Sequence, residues 1–215
     1  MNIEQVSNLL NEDGIVTINT KNSLEEFRNQ DENYYKLEFN GHLWEFMFVA
    51  CEKNSDGNKK VLKVFSYEAS ASKYYYLFEL SKHYFNKYIF PFESKNKDIN
   101  IGEIDCEIGN LKEAFNRLNI DDNYFSFDGV KKEHSIFLNI INNKESNVKF
   151  IGENNKEIFE TPVMDNWLTF YSMYKFVYYL YLLDKKSNLL QKEKGINCEF
   201  TDQDYNVFFH KEQVD

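Results

Sequence analysis

Two acidic residues, Asp105 and Glu107, have the spacing that most directly suggests chemistry. The alternation of Ile104, Cys106 and Ile108 with them predicts a half-buried strand, on which both carboxylates point to the same face. Paired carboxylates can hold Mg²⁺ for phosphoryl transfer. The sequence has no Gly-Ser turn upstream, as a nucleotidyltransferase requires, and no convincing Glu-x-Lys on an adjacent strand, as a restriction-type nuclease requires. A solvated strand face is therefore the preferred interpretation, and Asp105 and Glu107 are only weak metal candidates.

A second acidic group, Asp202 and Asp204, lies near the end of the chain, with Glu199 and His210 close in sequence. Two carboxylates beside a histidine can bind a metal or share a proton. The run Thr-Asp-Gln-Asp is also an ordinary turn composition, and we prefer that interpretation.

Cys51 is a nucleophile candidate only if His83 or His134 lies next to it in the fold. Its apolar surroundings instead favour a core position. The chain has no Gly-x-Gly-x-x-Gly, Walker, Gly-x-Ser-x-Gly or Cys-x-x-Cys motif. We therefore predict no catalytic residue, no cofactor and no metal.

Charge is more informative than these motifs. The chain has a net charge of −10, and residues 98–128 hold eight acidic residues against Lys112 and Arg117, a net charge of −6. Such a segment is either a solvated edge or a docking surface for a basic protein, whose association complementary charge would accelerate. The predicted partner-binding residues are Asp98, Glu103, Asp105, Glu107, Asp121, Asp122 and Asp128.

Basic residues are numerous but of one kind, 23 lysines and 2 arginines, and they are not clustered. Duplex recognition needs clustered cations and usually arginine at base edges, so direct nucleic-acid binding is not expected. The abundance of Lys, Asn, Ile, Tyr and Phe favours an AT-rich genome.

The compartment follows from the first residues and the cysteines. Met1–Gln5 has neither a basic nor an apolar region of a signal peptide, and three cysteines favour reduced thiols in the cytoplasm. The segment Trp167–Leu183 has 17 residues and one charge, Lys175, but its five tyrosines favour a buried helix over a membrane span.

In the first half of the chain, apolar spacing predicts a helix over 3–10 and a short strand over 15–18. A capping-box pattern beginning at Ser23 predicts a helix to about residue 30. Asn40-Gly41 between apolar runs predicts a hairpin within a three-stranded meander over 34–68, with Trp44, Phe46 and Phe48 buried. A helix over 70–90 should end before Pro91, and 91–100 reads as an irregular linker.

In the second half, an amphipathic helix is predicted over 111–118 and a long aromatic helix over 165–186, capped by Asp165. The remaining predicted elements are strands at 124–127, 134–141, 147–151, 156–160, 196–200 and 205–209.

This order predicts an α+β fold: antiparallel β-meanders packed with two long Tyr-rich helices, at about 70–90 and 165–186, and shorter amphipathic helices. We expect one domain over 1–215, with a possible division near 91–98. Three functions remain open. The first is a small acidic cytosolic protein that inhibits a basic partner, a profile similar in composition to immunity proteins and phage-encoded inhibitors. The second is an enzyme with a dispersed, possibly metal-dependent carboxylate site. The third is a structural subunit that forms an oligomer through helix 165–186.

Overall fold

The computed structural model describes residues 1–28, 32–51, 58–127, 129–195 and 200–209, except for the side chains of residues 193 and 194. Within that part the chain divides into two compact units, Met1–His83 and Tyr84–Phe209, each with its own sheet. The α+β class is confirmed, because the two sheets are built mainly of antiparallel neighbours with helices between them. The single domain stays a prediction.

The first unit begins with helix α1 (Ile3–Glu12), which confirms the predicted amphipathic helix. Its apolar face, including Val6 and Leu10, is buried. The chain leaves the helix through Gly14, whose φ of 91° is a conformation that glycine adopts without strain. The predicted strand at 15–18 is displaced by two residues and forms over Thr17–Thr20.

The strands of the first unit's sheet are all antiparallel, and their order in the sheet is their order in the chain. Its strands are β1 (Thr17–Thr20), β2 (Ser23–Glu26), β3 (Tyr34–Phe39), β4 (Trp44–Ala50) and β5 (Asn58–Phe65). The last three strands confirm the predicted meander, although the residues between β4 and β5 at 52–57 lie outside the described part.

The helix predicted from Ser23 to about residue 30 is wrong over 23–28, because β2 occupies Ser23–Glu26. Residues 29–31 lie outside the described part. The Ser23 hydroxyl bonds to the Thr20 hydroxyl at 2.9 Å, across the tight turn between β1 and β2, and caps no helix. Leu24 is fully buried opposite Leu37 of β3. The tertiary burial of this leucine outweighs the local capping signal.

Strand β4 has a partner on each side, as its apolar faces predict. Trp44 and Phe46 are buried, but Phe48 is only half-buried, because it lies near the end of the strand opposite Tyr35. The Phe46 ring meets Phe78 of helix α2 (Glu68–Tyr84), with ring centroids 4.9 Å apart. Aromatic contacts of this kind form the core of the first unit.

The helix predicted to stop before Pro91 continues through it. A π-helical turn, Phe85–Ile89, follows α2 directly, and helix α3 (Phe90–Lys95) has Pro91 in its first turn. The Phe90 N–H donates to the Phe85 carbonyl five residues earlier, and this wider turn accommodates a proline that has no N–H to donate. The irregular linker predicted over 91–100 is likewise wrong, since residues 97–99 add a 3₁₀ turn.

The second unit's sheet contains the second predicted meander. Strands β7 (Ser135–Ile140), β8 (Glu145–Ile151) and β9 (Glu157–Glu160) pair antiparallel, and β10 (Met164–Asp165) pairs with the other end of β8. One strand departs from the antiparallel prediction. Strand β6 (Phe125–Phe127) runs parallel to β7, because the connection between them returns the chain to the same end of the sheet.

Helices α4 (Ile108–Arg117) and α5 (Asn166–Lys194) complete most of the second unit. Helix α4 is amphipathic, as predicted. Helix α5 extends beyond the predicted end near residue 186, because Leu183 and Leu190 lie on one helical face and are both fully buried. No helix in the described ranges is long and apolar enough to cross a membrane.

The hairpin predicted at the end of the chain is wrong over 205–209. Helix α6 (Asp202–Phe209) occupies these residues, and 196–199 lie outside the described part. Tyr205, Phe208 and Phe209 are buried at spacings of three and four, which is helical periodicity.

Candidate functional site

Asp105 lies on a turn and Glu107 lies at the start of α4, so neither is on the predicted strand. Residues 101–105 form turns and a bend, and Glu107 is the N-cap of α4, where its N–H donates to Asn110 Oδ1 at 2.7 Å. Ile104 and Cys106 do alternate in burial, since the first is 81% exposed and the second is buried. That alternation comes from a turn and the start of a helix, so the two carboxylates do not share a strand face.

Both carboxylates nevertheless line a groove of about 830 Å³ in the second unit. Other parts of its lining come from the turn between β7 and β8 and from the start of α5. We call this the acidic groove and define it by Ile104, Asp105, Glu107, Lys144, Asp165 and Trp167. Sequence reasoning missed Lys144 and Trp167 as site residues and treated Asp165 only as a helix cap, because no local pattern joins segments so far apart in the chain.

The N-termini of two helices, α4 and α5, lie at the groove. Asp165 has the N-cap position of α5, as predicted, but its side chain makes no capping hydrogen bond. Carboxylates are favourable near the positive end of a helix dipole, which favours the acids that line this groove. Lys144 supplies one opposing charge, so the formal charge of the groove stays negative.

The other predicted partner-binding residues are partly neutralised by local pairing. Arg117 makes two hydrogen bonds to Asp98, at 2.6 and 3.0 Å, and a third to Glu113 at 2.8 Å. The Arg117 guanidinium lowers the pKa of the exposed Asp98 carboxyl. These acids therefore present less charge to a partner than the sequence suggests.

Asp121 and Asp122 are placed apart from the groove lining, at the 3₁₀ turn after α4. Asp121 accepts a hydrogen bond from the Asn123 N–H at 2.9 Å, and Asp122 lies 3.5 Å from Lys132 Nζ. Glu103 is exposed, and Asp128 lies outside the described residues. Partner binding by these residues stays a prediction.

The second acidic pair has a local structural role. Asp202 opens α6, and Asp204 accepts a hydrogen bond from the Thr201 N–H at 2.8 Å. Glu199 and His210 lie outside the described residues. Within the described ranges, no group of three or more His, Cys, Asp or Glu side chains is placed to hold a metal ion.

Two cysteine thiols are described, and neither is in a disulfide. Cys51 is half-buried at the end of β4, where its N–H donates to Asn33 Oδ1. Burial raises the pKa of the Cys106 thiol to about 11, so this thiol in the groove lining stays protonated at neutral pH. A protonated thiol is a poor nucleophile and metal ligand.

A cluster around Asp184 of α5 was missed by sequence reasoning. His134 Nε2 lies 2.9 Å from Asp184 Oδ2, the Tyr205 hydroxyl donates to Oδ1 at 2.5 Å, and the Tyr124 hydroxyl also bonds to this carboxylate. His134 has a φ of 52°, in the left-handed region that few non-glycine residues adopt. These residues lie on four separate segments, so no spacing in the sequence reveals them.

Comparison with protein-family models, curated proteins and solved structures finds no match to this chain. The geometry of the molecule itself is therefore the basis for its function. The acidic groove is the feature that combines a cavity, concentrated charge and exposed apolar surface.

Proposed function

We propose that this protein is a small acidic binding protein that docks and inhibits a basic protein partner, and that the acidic groove receives part of that partner. The observation that carries the proposal is Ile104, which is 81% exposed in the groove lining beside the Asp105 carboxylate. Half-buried Trp167 lines the same groove. Apolar and aromatic surface bordered by charge is the usual composition of a protein interface.

Charge determines which partner fits. The carboxylates of Asp105, Glu107 and Asp165 outnumber the single ammonium of Lys144. A lysine or arginine from a partner would pair with these carboxylates and could stack on the indole of Trp167. Complementary charge of this kind raises the association rate and penalises acidic competitors.

The two other functions have less support. The metal-dependent enzyme required a strand geometry for Asp105 and Glu107 that the turns do not provide. The oligomer required exposed aromatic rings on α5, but Phe170, Tyr174 and Tyr179 are buried. We place the docking in the cytoplasm and without nucleic acid, as the composition predicts.

Peptide binding tests the proposal directly. The probes are twelve-residue peptides of lysine and leucine, with glutamate–leucine peptides of the same length as the control. We expect the protein to bind only the basic peptides, and the double variant Asp105→Asn, Asp165→Asn to bind them about tenfold more weakly. The double variant Glu133→Gln, Glu153→Gln is the matched control, because both are exposed acids of the same unit outside the groove lining. Equal losses in both variants, or no preference for basic peptides, would overturn the proposal.

A further inference from the structure

Lys175 is a charged residue in the aromatic middle of α5, and its side chain is half-buried. Its Nζ lies 4.7 Å from the centroid of the Tyr171 ring, one helical turn earlier. Among the described residues this amine has neither a hydrogen bond nor an ion pair. Lysines removed from water are normally paired with a carboxylate, so an amine held only against a ring requires an explanation.

A carboxylate lies nearby but does not complete an ion pair. Glu93 of α3 interacts with the Tyr171 hydroxyl by a hydrogen bond, and its charge also acts on Lys175. The Glu93 Oε2 atom is buried and has no hydrogen-bond partner in the described part of the chain. Glu93, Tyr171 and Lys175, which we call the amine cluster, thus contain a carboxylate with one unbonded oxygen and an amine that makes no hydrogen bond in the described part of the chain.

Backbone at Gly102 covers the amine cluster on one side. A Cβ at this position would lie 3.4 Å from the Tyr171 ring and 3.8 Å from Glu93 Oε1, and the φ of +87° disfavours any other residue. The backbone therefore lies directly against the cluster, and a side chain there would be strained. Desolvation is the main cause that lowers the pKa of the Lys175 amine, and the Glu93 charge only partly opposes it.

We propose that Lys175 is a reactive amine that condenses with small aldehydes, with Glu93 as the group that exchanges protons with the reacting atoms. This inference is independent of the acidic groove. The neutral Nζ attacks the carbonyl carbon, and the C=O π electrons move to oxygen. A proton passes from nitrogen to that oxygen to give a carbinolamine. The Glu93 carboxylate then takes the remaining proton from nitrogen while the hydroxyl departs with its bonding electrons. It passes this proton to the departing hydroxide, so that one water leaves and the imine remains.

Lys185 provides a matched control on the same helix. Its Nζ lies 4.2 Å from the centroid of the Tyr181 ring, in the same spacing of four residues as Lys175 and Tyr171. Lys185 is exposed, however, whereas Lys175 is half-buried. The two lysines share their aromatic contact and differ in burial, which is the property that the proposal invokes.

The test is reductive methylation of the whole protein with limiting formaldehyde and a borohydride reductant, which adds hydride to each imine as it forms. Peptide mass spectrometry then gives the rate at every lysine. At pH 7 we expect Lys175 to react about fivefold or more faster than Lys185, since a lower pKa leaves more of the amine neutral. The difference should shrink toward alkaline pH, where the lowered pKa of Lys175 gives this amine less advantage. Equal rates at pH 7, or an unreactive Lys175, would overturn the proposal.

The variant Glu93→Gln tests the role of the carboxylate separately from the reactivity of the amine. Glu93→Gln keeps the shape of the side chain and removes the carboxylate that transfers the proton, so the Lys175 rate should fall about threefold or more, while Lys185 stays unchanged as an internal reference. An unchanged or faster Lys175 rate would overturn the role of Glu93. Because the comparison of Lys175 with Lys185 needs no variant, it decides the reactivity of Lys175 even if Glu93→Gln does not fold.

Discussion

His134 Nε2 lies 2.9 Å from Asp184 Oδ2, although 50 residues separate the two side chains in the sequence. Asp184 is only 17% exposed and also accepts the Tyr205 hydroxyl, so one carboxylate joins the turn before β7 to α5 and α6. Helix α6 has only eight residues, and isolated helices of that length are not stable in water. Asp184 therefore anchors α6 to the second unit.

Removal of this carboxylate should destabilise the second unit. We expect Asp184→Ala to lower the free energy of unfolding by about 2–3 kcal/mol, because it leaves two phenols and an imidazole without their acceptor. Urea unfolding followed by tyrosine fluorescence measures this change. Asp165→Ala is the control, since that exposed carboxylate makes no capping hydrogen bond. Similar values for the two variants would contradict the anchoring role.

Alkaline pH should weaken the same region. The pKa of Tyr124 is raised to about 12, against about 10 for an unfolded tyrosine. Burial is the largest cause, and the charge of Asp184 is the second. The folded state then holds a proton that the unfolded state has lost, so the contribution is complete below pH 10 and declines between pH 10 and 12. The slope per tyrosine is at most about 1.4 kcal/mol per pH unit, and solvent screening reduces it.

The measurement is the free energy of unfolding from pH 8 to pH 12. In Tyr124→Phe, the free energy of unfolding should fall less steeply above pH 10 than in the wild-type protein. Near pH 8 its dependence on pH should be the same in both proteins. Tyr67→Phe is the control, because this tyrosine is 73% exposed. An unchanged slope in Tyr124→Phe would show that another group dominates alkaline unfolding.

Phe46 anchors the first unit's core, where its ring meets Tyr74 and Phe78 of α2. We expect Phe46→Ala to cost about 3–5 kcal/mol, and Phe48→Ala to cost less because Phe48 is only half-buried. Chemical denaturation of both variants checks the order. If Phe46→Ala lowers the free energy of unfolding by less than about 1 kcal/mol, this strand does not belong to the core.

Local signals predicted the elements whose causes are local. Asn40-Gly41 predicted the hairpin correctly, with Gly41 at a φ of 98°, although the connection spans residues 40–43 and Asn40 does not share the positive φ of a two-residue turn. The spacing of Leu111, Ala114 and Phe115 predicted α4 for the same kind of reason. In both cases the deciding interaction lies within a few residues.

Errors arose where distant residues decide the structure. Leu24 joins a strand because Leu37 covers it, and Asp105 reaches the groove through turns that bring it near the start of α5. The Asp184 cluster and the amine cluster combine segments that are tens of residues apart. Charge counting correctly found an acidic segment, but it could not show that Arg117 pairs with Asp98 and Glu113.

Divalent cations should leave the protein unaffected. Asp105 accepts a hydrogen bond from Asn100, and no third ligand joins it and Glu107 among the described residues. We expect the Tm to be the same with and without Mg²⁺ or Mn²⁺. A bound ion at about 100 times its Kd would add roughly 2.7 kcal/mol, which thermal unfolding detects easily. A saturable rise in Tm that Asp105→Asn abolishes would restore the enzyme hypothesis.

The acidic groove should control the rate at which a basic partner associates. Reversal of two groove charges, Asp105→Lys with Asp165→Lys, should slow association by about tenfold at low salt, because like charges then meet in the encounter complex. The difference should shrink at about 1 M salt, where the Debye length is ~3 Å. Stopped-flow binding of the lysine–leucine peptide at several salt concentrations measures both effects.

The control is the double variant Glu133→Lys, Glu153→Lys, which has the same net charge as the groove variant. Both residues are exposed and lie outside the groove lining. Asp121 and Asp122 are poorer controls, because a turn hydrogen bond and Lys132 already engage them. If both double variants slow association equally, net charge alone governs the encounter and no particular surface does. If only the groove variant is slow and salt removes the difference, the partner enters through the groove.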